Sequence, residues 1–89
     1  MPAVARVGDQ VTHDYVQFGA IIAGAARTLI EGAAVARIGD LANCPTHGPQ
    51  PIAGGSATVI VEGKPVARVG DLISCGAIII AGAATVQVG

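Results

Sequence analysis

The sequence predicts a small all-β protein built from a repeated unit, and two features of it carry this prediction. The 89 residues are 52% apolar but only 2% aromatic, so the apolar weight comes from Ala, Val and Ile, accompanied by 13 glycines. This composition disfavours a helical bundle and favours tightly turned β-structure. In addition, a five-residue motif recurs at a fixed spacing of 31 residues. A chain of this length holds one core, so we expect a single domain over residues 1–89.

The repeated motif is Ala and Arg, followed by an apolar residue, Gly and Asp, and a further apolar residue precedes each copy. It begins at Ala5, Ala36 and Ala67, and it contains three of the five basic and three of the six acidic residues. Because charge is scarce in this chain, its identical placement predicts an Arg–Asp contact that is formed three times. A solvated turn is the plainer interpretation, and the two are compatible.

A strand, a tight turn and a second strand are predicted before each motif. The clearest copy is residues 58–68, where β-branched residues precede Gly63 and Pro65 begins the second arm. The copy at 28–37 looks one residue shorter. The third copy is divided between 85–89 and 1–6, so pairing of the terminal strands would complete it. We therefore expect a pseudo-threefold symmetric cone of three β-hairpin repeats (5–35, 36–66, and 67–89 completed by 1–4), with Gly-rich links of which the third is four residues shorter.

Every Cys and His of the chain falls into one pattern. His13, Cys44 and Cys75 each lie four residues after a repeated Asp, and His47 completes a Cys-x-x-His turn. Threefold geometry would bring the equivalent positions together, and two sulfur and two nitrogen donors suit a closed, structural Zn²⁺ site. Fe²⁺ is the alternative ion. A Cys44–Cys75 disulfide and two buried hydrophobic cysteines are the alternatives to a metal site.

Several classes of function find no support. A net charge of −1 offers no electrostatic surface for nucleic acid. Asp14, His13 and a serine (Ser56 or Ser74) make no convincing nucleophile–base set, so we expect no catalytic residues and no enzyme activity. No secretory signal peptide precedes the first motif, which predicts folding in the cytoplasm. The uncharged segment 72–89 is interpreted as buried strand rather than as a membrane span.

The segment Glu62–Asp71 and its two partners resemble the PAAR-repeat family, which is named for Pro-Ala-Ala-Arg. The likeness extends over essentially the whole chain, with Val66 in place of the first Ala. It implies a β cone with a metal ion near its apex, and the matching positions are His13, Cys44, His47 and Cys75. It also implies a non-enzymatic tip of a type VI secretion spike, carried by a trimeric VgrG-like β-helix.

For such a tip we expect one copy per trimer, a monomer when free, possible effector cargo held non-covalently, and transient contact with the target membrane. It would be cytoplasmic before firing and secreted afterwards. Two alternatives stay open at the level of the sequence. One is the tip of a contractile phage tail or related injection device, and the other is a free zinc-binding adaptor protein.

Overall fold

A computed structural model describes residues 2–88, which form an all-β fold, as predicted. Short antiparallel strands account for its regular structure. Between Pro2 and Val88 there is no apolar helix of membrane-spanning length. The strands are β1 Gln10–Thr12, β2 Phe18–Ala20, β3 Leu29–Ile30, β4 Ala33–Ala34, β5 Leu41–Cys44, β6 Gly48–Pro51, β7 Ile60–Val61, β8 Lys64–Pro65 and β9 Ile78–Ile79.

Two kinds of hairpin alternate along the chain, although only one kind was predicted. β3–β4 and β7–β8 are the predicted hairpins. β1–β2 and β5–β6 are additional ones, and they occupy part of the segments that the sequence suggests are Gly-rich links. Gly19 in β2 explains why that strand looks like a link. A Cβ on Gly19 would lie 1.6 Å from the carbonyl oxygen of Asn43, so only glycine fits in this strand.

The predicted hairpins turn on a Glu-Gly pair. Glu31 and Gly32 have φ of 53° and 80°, and Glu62 and Gly63 have φ of 48° and 84°. Two consecutive positive φ angles define the type I′ turn that suits a two-residue hairpin. The expectation that the first copy is one residue shorter is wrong: Leu29 pairs with Ala34 as Ile60 pairs with Pro65. The sequence alignment on Thr28 and Thr58 is displaced by one residue from the structural equivalence.

The two ends of the chain pair with each other, as predicted. The amide of Val4 donates to the carbonyl of Val86 at 3.0 Å, and the amide of Val88 donates to the carbonyl of Pro2 at 2.9 Å. A bridge between Ala3 and Gln87 continues this pairing. The predicted closure also involves Met1 and Gly89, which lie outside the described residues.

A closed set of three amide hydrogen bonds joins the repeats. Ala36 donates to Ala5 at 3.0 Å, Ala67 donates to Ala36 at 2.9 Å, and Ala5 donates to Ala67 at 3.0 Å. All three alanines are fully buried, and their small side chains allow three backbones to meet at one place. We call this set the alanine ring. Each repeat thus donates one of these hydrogen bonds to one neighbouring repeat and accepts one from the other. The pseudo-threefold symmetry of the cone stays a prediction.

Buried residues form two hydrophobic clusters. The first contains the alanine ring and adjoins the cysteines; its larger members are Val11, Ile21, Ile52, Ile73 and Ile79. The second contains Val4, Val35 and Val66, and the hairpin arms β3 and β7 pack on it through Ile30 and Val61. The hairpin arms and the cysteines therefore pack against different clusters.

The predicted Arg–Asp contact forms in all three repeats. In the second, Nε of Arg37 donates to Oδ2 of Asp40 at 2.9 Å, Nη2 donates to Oδ1 at 3.1 Å, and the backbone amide of Arg37 donates to Oδ2 at 2.9 Å. Gly39 between them has a φ of 91°, as a type II turn requires. Arg6–Asp9 and Arg68–Asp71 repeat this arrangement. We call each one an Arg–Asp clamp.

We predict that Asp40→Asn lowers the free energy of unfolding by about 2–3 kcal/mol, because it weakens three hydrogen bonds to a charged group that is largely buried. Only 12% of the Arg37 side chain and 8% of the Asp40 side chain are exposed. Urea denaturation measures the change. Arg27→Gln, which changes the net charge by one unit in the opposite direction at an exposed residue, is the control. Equal stability of the two variants would contradict a stabilising clamp.

We also predict that deletion of residues 85–89 converts the protein from a monomer into aggregates. The deletion removes Val86 and Val88 from the second cluster and leaves the strand edge at Val4 unpaired. Size-exclusion chromatography with light scattering measures the mass. Gln87→Ala, at an exposed position of the same arm, should remain monomeric. A monomeric truncated protein with an unchanged circular dichroism spectrum would show that terminal pairing is dispensable.

Candidate metal centre

The four residues predicted as metal ligands come together in the structure. The candidate ligand atoms of His13, Cys44, His47 and Cys75 all lie within 4.8 Å of one another. They are carried by three different loops, each of which follows an Arg–Asp clamp. In every repeat, one ligand (His13, Cys44 or Cys75) lies four residues after the Asp of the clamp and eight residues after the ring alanine. We call this group the Cys₂His₂ cluster.

Cys44 and His47 lie on the tight end of the β5–β6 hairpin. Cys44 pairs with Gly48, whose φ of 75° lets the chain return after Pro45, Thr46 and His47. Sγ of Cys44 lies 3.4 Å from Nδ1 of His47. Two adjacent ligands of a tetrahedral zinc ion, with bonds of about 2.0–2.3 Å, are about 3.5 Å apart. The Cys-x-x-His turn therefore presents two donors at the spacing that zinc requires.

Cys75 lies on the shortest of the three loops. The amide of Gly76 donates to the carbonyl of Ile73, and the amide of Ile73 donates to the carbonyl of Ala77, both at 2.8 Å. Gly76 has a φ of 97°. The third repeat is four residues shorter because its loop after Cys75 is shorter. Cys75 still lies four residues after Asp71, as in the other repeats.

His13 lies on the longest loop, residues 13–17, between β1 and β2. Its ring faces that of His47 edge-on, with 5.3 Å between the ring centroids. Nε2 of His13 is buried and, among the described residues, has no hydrogen-bond partner. A buried polar atom without a partner is costly, and a metal ion at the centre of the cluster would satisfy it. The donor set and this unpaired nitrogen both fit a bound metal ion.

The two thiols influence each other's ionisation. Burial opposes ionisation of Cys44, but hydrogen bonds from Cys75 and His47 outweigh it and lower the pKa of Cys44 to about 5. Burial and the neighbouring Cys44 raise the pKa of Cys75. One thiolate is therefore available near neutral pH, and a bound cation would favour ionisation of the second. Both cysteines are free, with no disulfide between them.

The other polar residues considered in the sequence have structural contacts. Oδ1 of Asp14 accepts the amides of Val16 and Gln17. Oγ of Ser56 accepts the amides of two residues that follow it, and Oγ of Ser74 donates to the side chain of Gln50. These contacts do not join a serine, His13 and Asp14 into one constellation.

Sequence reasoning missed Thr12, which precedes His13. Thr12 is fully buried, and its Oγ1 contacts three backbone groups of the loop that carries His13. The signal was present in the sequence, because each candidate ligand after a clamp follows a polar residue: Thr12, Asn43 and Ser74.

A comparison with protein families agrees with this architecture. The family model described as the PAAR motif matches residues 17–81 of the 89. The chain belongs to the PAAR family. A comparison with curated proteins gives no match. The PAAR motif is a β cone, and PAAR proteins are structural proteins of the spike-tip type that associate with a spike protein.

We predict that Cys75→Ser abolishes the stabilisation that zinc confers. A structural zinc ion contributes on the order of 10 kcal/mol to folding in small domains, and loss of one thiolate removes most of its affinity. The parent should unfold at a higher temperature with zinc than with a chelator, whereas the variant should unfold at the same temperature in both. Thermal unfolding followed by circular dichroism measures this difference.

Ser74→Ala is the control for this prediction, because the Ser74 hydroxyl is exposed and bonds to Gln50 rather than to the cluster. It should retain the zinc-dependent increase. A parent protein with the same unfolding temperature in zinc and in chelator would contradict a structural metal.

Proposed function

We propose that this protein is the non-enzymatic tip of a type VI secretion spike, seated as one copy on the blunt end of a trimeric VgrG-like β-helix. In this proposal it assembles in the cytoplasm as a monomer, leaves the cell on the spike and contacts the target membrane transiently. Any effector is carried non-covalently. The observation that carries the proposal is a PAAR chain whose hydrogen bonds repeat in a closed cycle of three. Three similar units match the three subunits of a trimer.

We propose that the metal is Zn²⁺ with a structural role. Cys44, Cys75, His13 and His47 supply two sulfur and two nitrogen donors, the set that tetrahedral zinc favours. Four protein ligands leave no position for a reacting water, as is typical of structural rather than catalytic zinc. The ion would tie together three loops, of which those that carry Cys44 and Cys75 pack on the first hydrophobic cluster.

The surface that meets the trimer is proposed to be the outer arms of the hairpins. Leu29 in β3 and Ile60 in β7 occupy equivalent positions and are 63% and 56% exposed. β3 and β7 each pair with one strand, so their other backbone edges are open to strand addition. These arms pack on the second cluster, whereas the cysteines pack on the first. Exposed apolar side chains beside open strand edges support a docking role for this surface.

We predict that the double variant Leu29→Glu/Ile60→Glu weakens binding to a VgrG-type trimer by at least about tenfold, because carboxylates without partners would be buried at the interface. Binding is measured by titration of purified trimer with light scattering, which also gives the stoichiometry. The parent should form a complex of one tip per trimer.

Leu72→Glu is the matched control, since Leu72 is similarly exposed but lies on the segment that leads to Cys75. It should bind like the parent. Equal binding by the double variant and the parent would refute the docking surface. A parent that does not bind the trimer, or binds with another stoichiometry, would refute the spike-tip function and favour the free adaptor protein.

A further inference from the structure

We propose that Thr12 is the positioning residue of the metal centre: its buried hydroxyl holds the loop that carries His13, and it thereby sets the affinity of the site. The inference rests on the proposed metal site. Of the four ligands, His13 has the least support from backbone hydrogen bonds, and the Thr12 side chain supplies the missing support.

Thr12 is held firmly itself. It is fully buried in β1, the central strand of the three-stranded sheet β2-β1-β9. Its backbone pairs with Phe18 on one side and with Ile78 on the other. A hydroxyl on a strand paired along both edges has little freedom to move. It is therefore a fixed point next to a loop that has to present His13.

Two side chains organise the loop of residues 13–17. Oγ1 of Thr12 accepts the amide of Tyr15 at 2.9 Å and that of Asp14 at 3.3 Å, and it donates to the carbonyl of Gln17 at 2.7 Å. Oδ1 of Asp14 accepts the next two amides, those of Val16 and Gln17. Within residues 2–88, no backbone–backbone hydrogen bond uses the amides of residues 14–17. Side chains thus accept the four backbone amides of residues 14–17.

The two cysteine loops are organised differently. Cys44 is paired with Gly48 inside the β5–β6 ladder, and Pro45 restricts the turn. Cys75 lies in a tight turn closed by backbone hydrogen bonds of Ile73 and Gly76. Backbone pairing and turns therefore place Cys44 and Cys75, and the Thr46 hydroxyl contacts Nδ1 of His47 at 2.9 Å, whereas the loop that carries His13 depends on the Thr12 hydroxyl. Without that hydroxyl, we expect His13 to leave the cluster and three protein ligands to remain.

The test is a double-mutant cycle on zinc affinity, measured by competition with a chromophoric chelator. Thr12→Val removes the hydroxyl and keeps the shape, and we expect a 10- to 100-fold loss of affinity, as for other residues that orient metal ligands. Thr12→Ser keeps the hydroxyl and should bind like the parent. His13→Ala measures the loss of zinc affinity when one ligand is missing. The variant with both Thr12→Val and His13→Ala should bind no more weakly than His13→Ala alone, because Thr12 acts through His13.

Two further measurements separate positioning from general stability. Thr28→Val makes the same chemical change at a threonine whose hydroxyl donates to the carboxylate of Glu62 rather than to the loop of His13. It should leave zinc affinity unchanged. Asp14→Ala, at an exposed position, should weaken zinc binding without unfolding the protein, so the proposal is testable even if Thr12→Val folds poorly. The absorption spectrum of cobalt-substituted Thr12→Val should shift towards that of His13→Ala.

The outcomes distinguish this inference from the metal proposal. A parent that binds zinc together with a Thr12→Val variant of equal affinity would overturn the positioning role and leave the metal site standing. Additive losses in the cycle would also overturn it, because they would show that Thr12 acts on the whole fold. A parent that binds no zinc would overturn both.

Discussion

The alanine ring is the constraint on which the rest of the structure depends. Three amide hydrogen bonds of 2.9–3.0 Å form a cycle in which each of Ala5, Ala36 and Ala67 is both donor and acceptor. A cycle of this kind closes only if the chain returns to its starting point, so the pairing of the two termini is part of the same constraint. It also explains the alanines, because a larger side chain would push apart three backbones that meet in a fully buried place.

Convergence of the ligands follows from this ring by simple geometry. Each repeat leaves the ring, makes one turn fixed by an Arg–Asp clamp and runs on to a ligand eight residues after the alanine. Three segments of equal length that start from one closed cycle and share the same clamped turn bring equivalent residues together. The loops beyond that point differ in length, because Cys44 and Cys75 are placed by the chain before them, whereas the loop that carries His13 is held in addition by the Thr12 hydroxyl.

The difference between the equivalent segments that lead to the ligands and the loops that follow them explains how much could be predicted from the sequence. The 31-residue spacing fixes backbone equivalence, so the Arg–Asp clamps, the terminal pairing and the Cys₂His₂ cluster could all be predicted from it. The β1–β2 and β5–β6 hairpins could not be predicted, because Gly19 and Pro49 are residue types that disfavour strands. Gly19 lies in a strand here because it contacts the backbone of Asn43 closely, and Pro49 lies in a strand because it pairs with Asn43. Thr12 was missed because a polar residue before each ligand does not by itself predict the loop contacts that the Thr12 hydroxyl makes.

Side chains also differ where the backbone is equivalent, and these differences compensate for one another. Glu31 accepts the amide of Thr85 at 2.8 Å, and Glu62 accepts that of Arg27 at 3.0 Å, so each hairpin turn holds the loop of a neighbouring repeat. The sequence position equivalent to these two glutamates is Gly89, which lies outside the described residues. In the corresponding loop of the second repeat, Ser56 stands at the position of Ala25 and Ala83, and its Oγ accepts the amides of Thr58 at 3.1 Å and Val59 at 3.0 Å. Equivalent backbones in this fold therefore require an acceptor for each loop, but not the same residue.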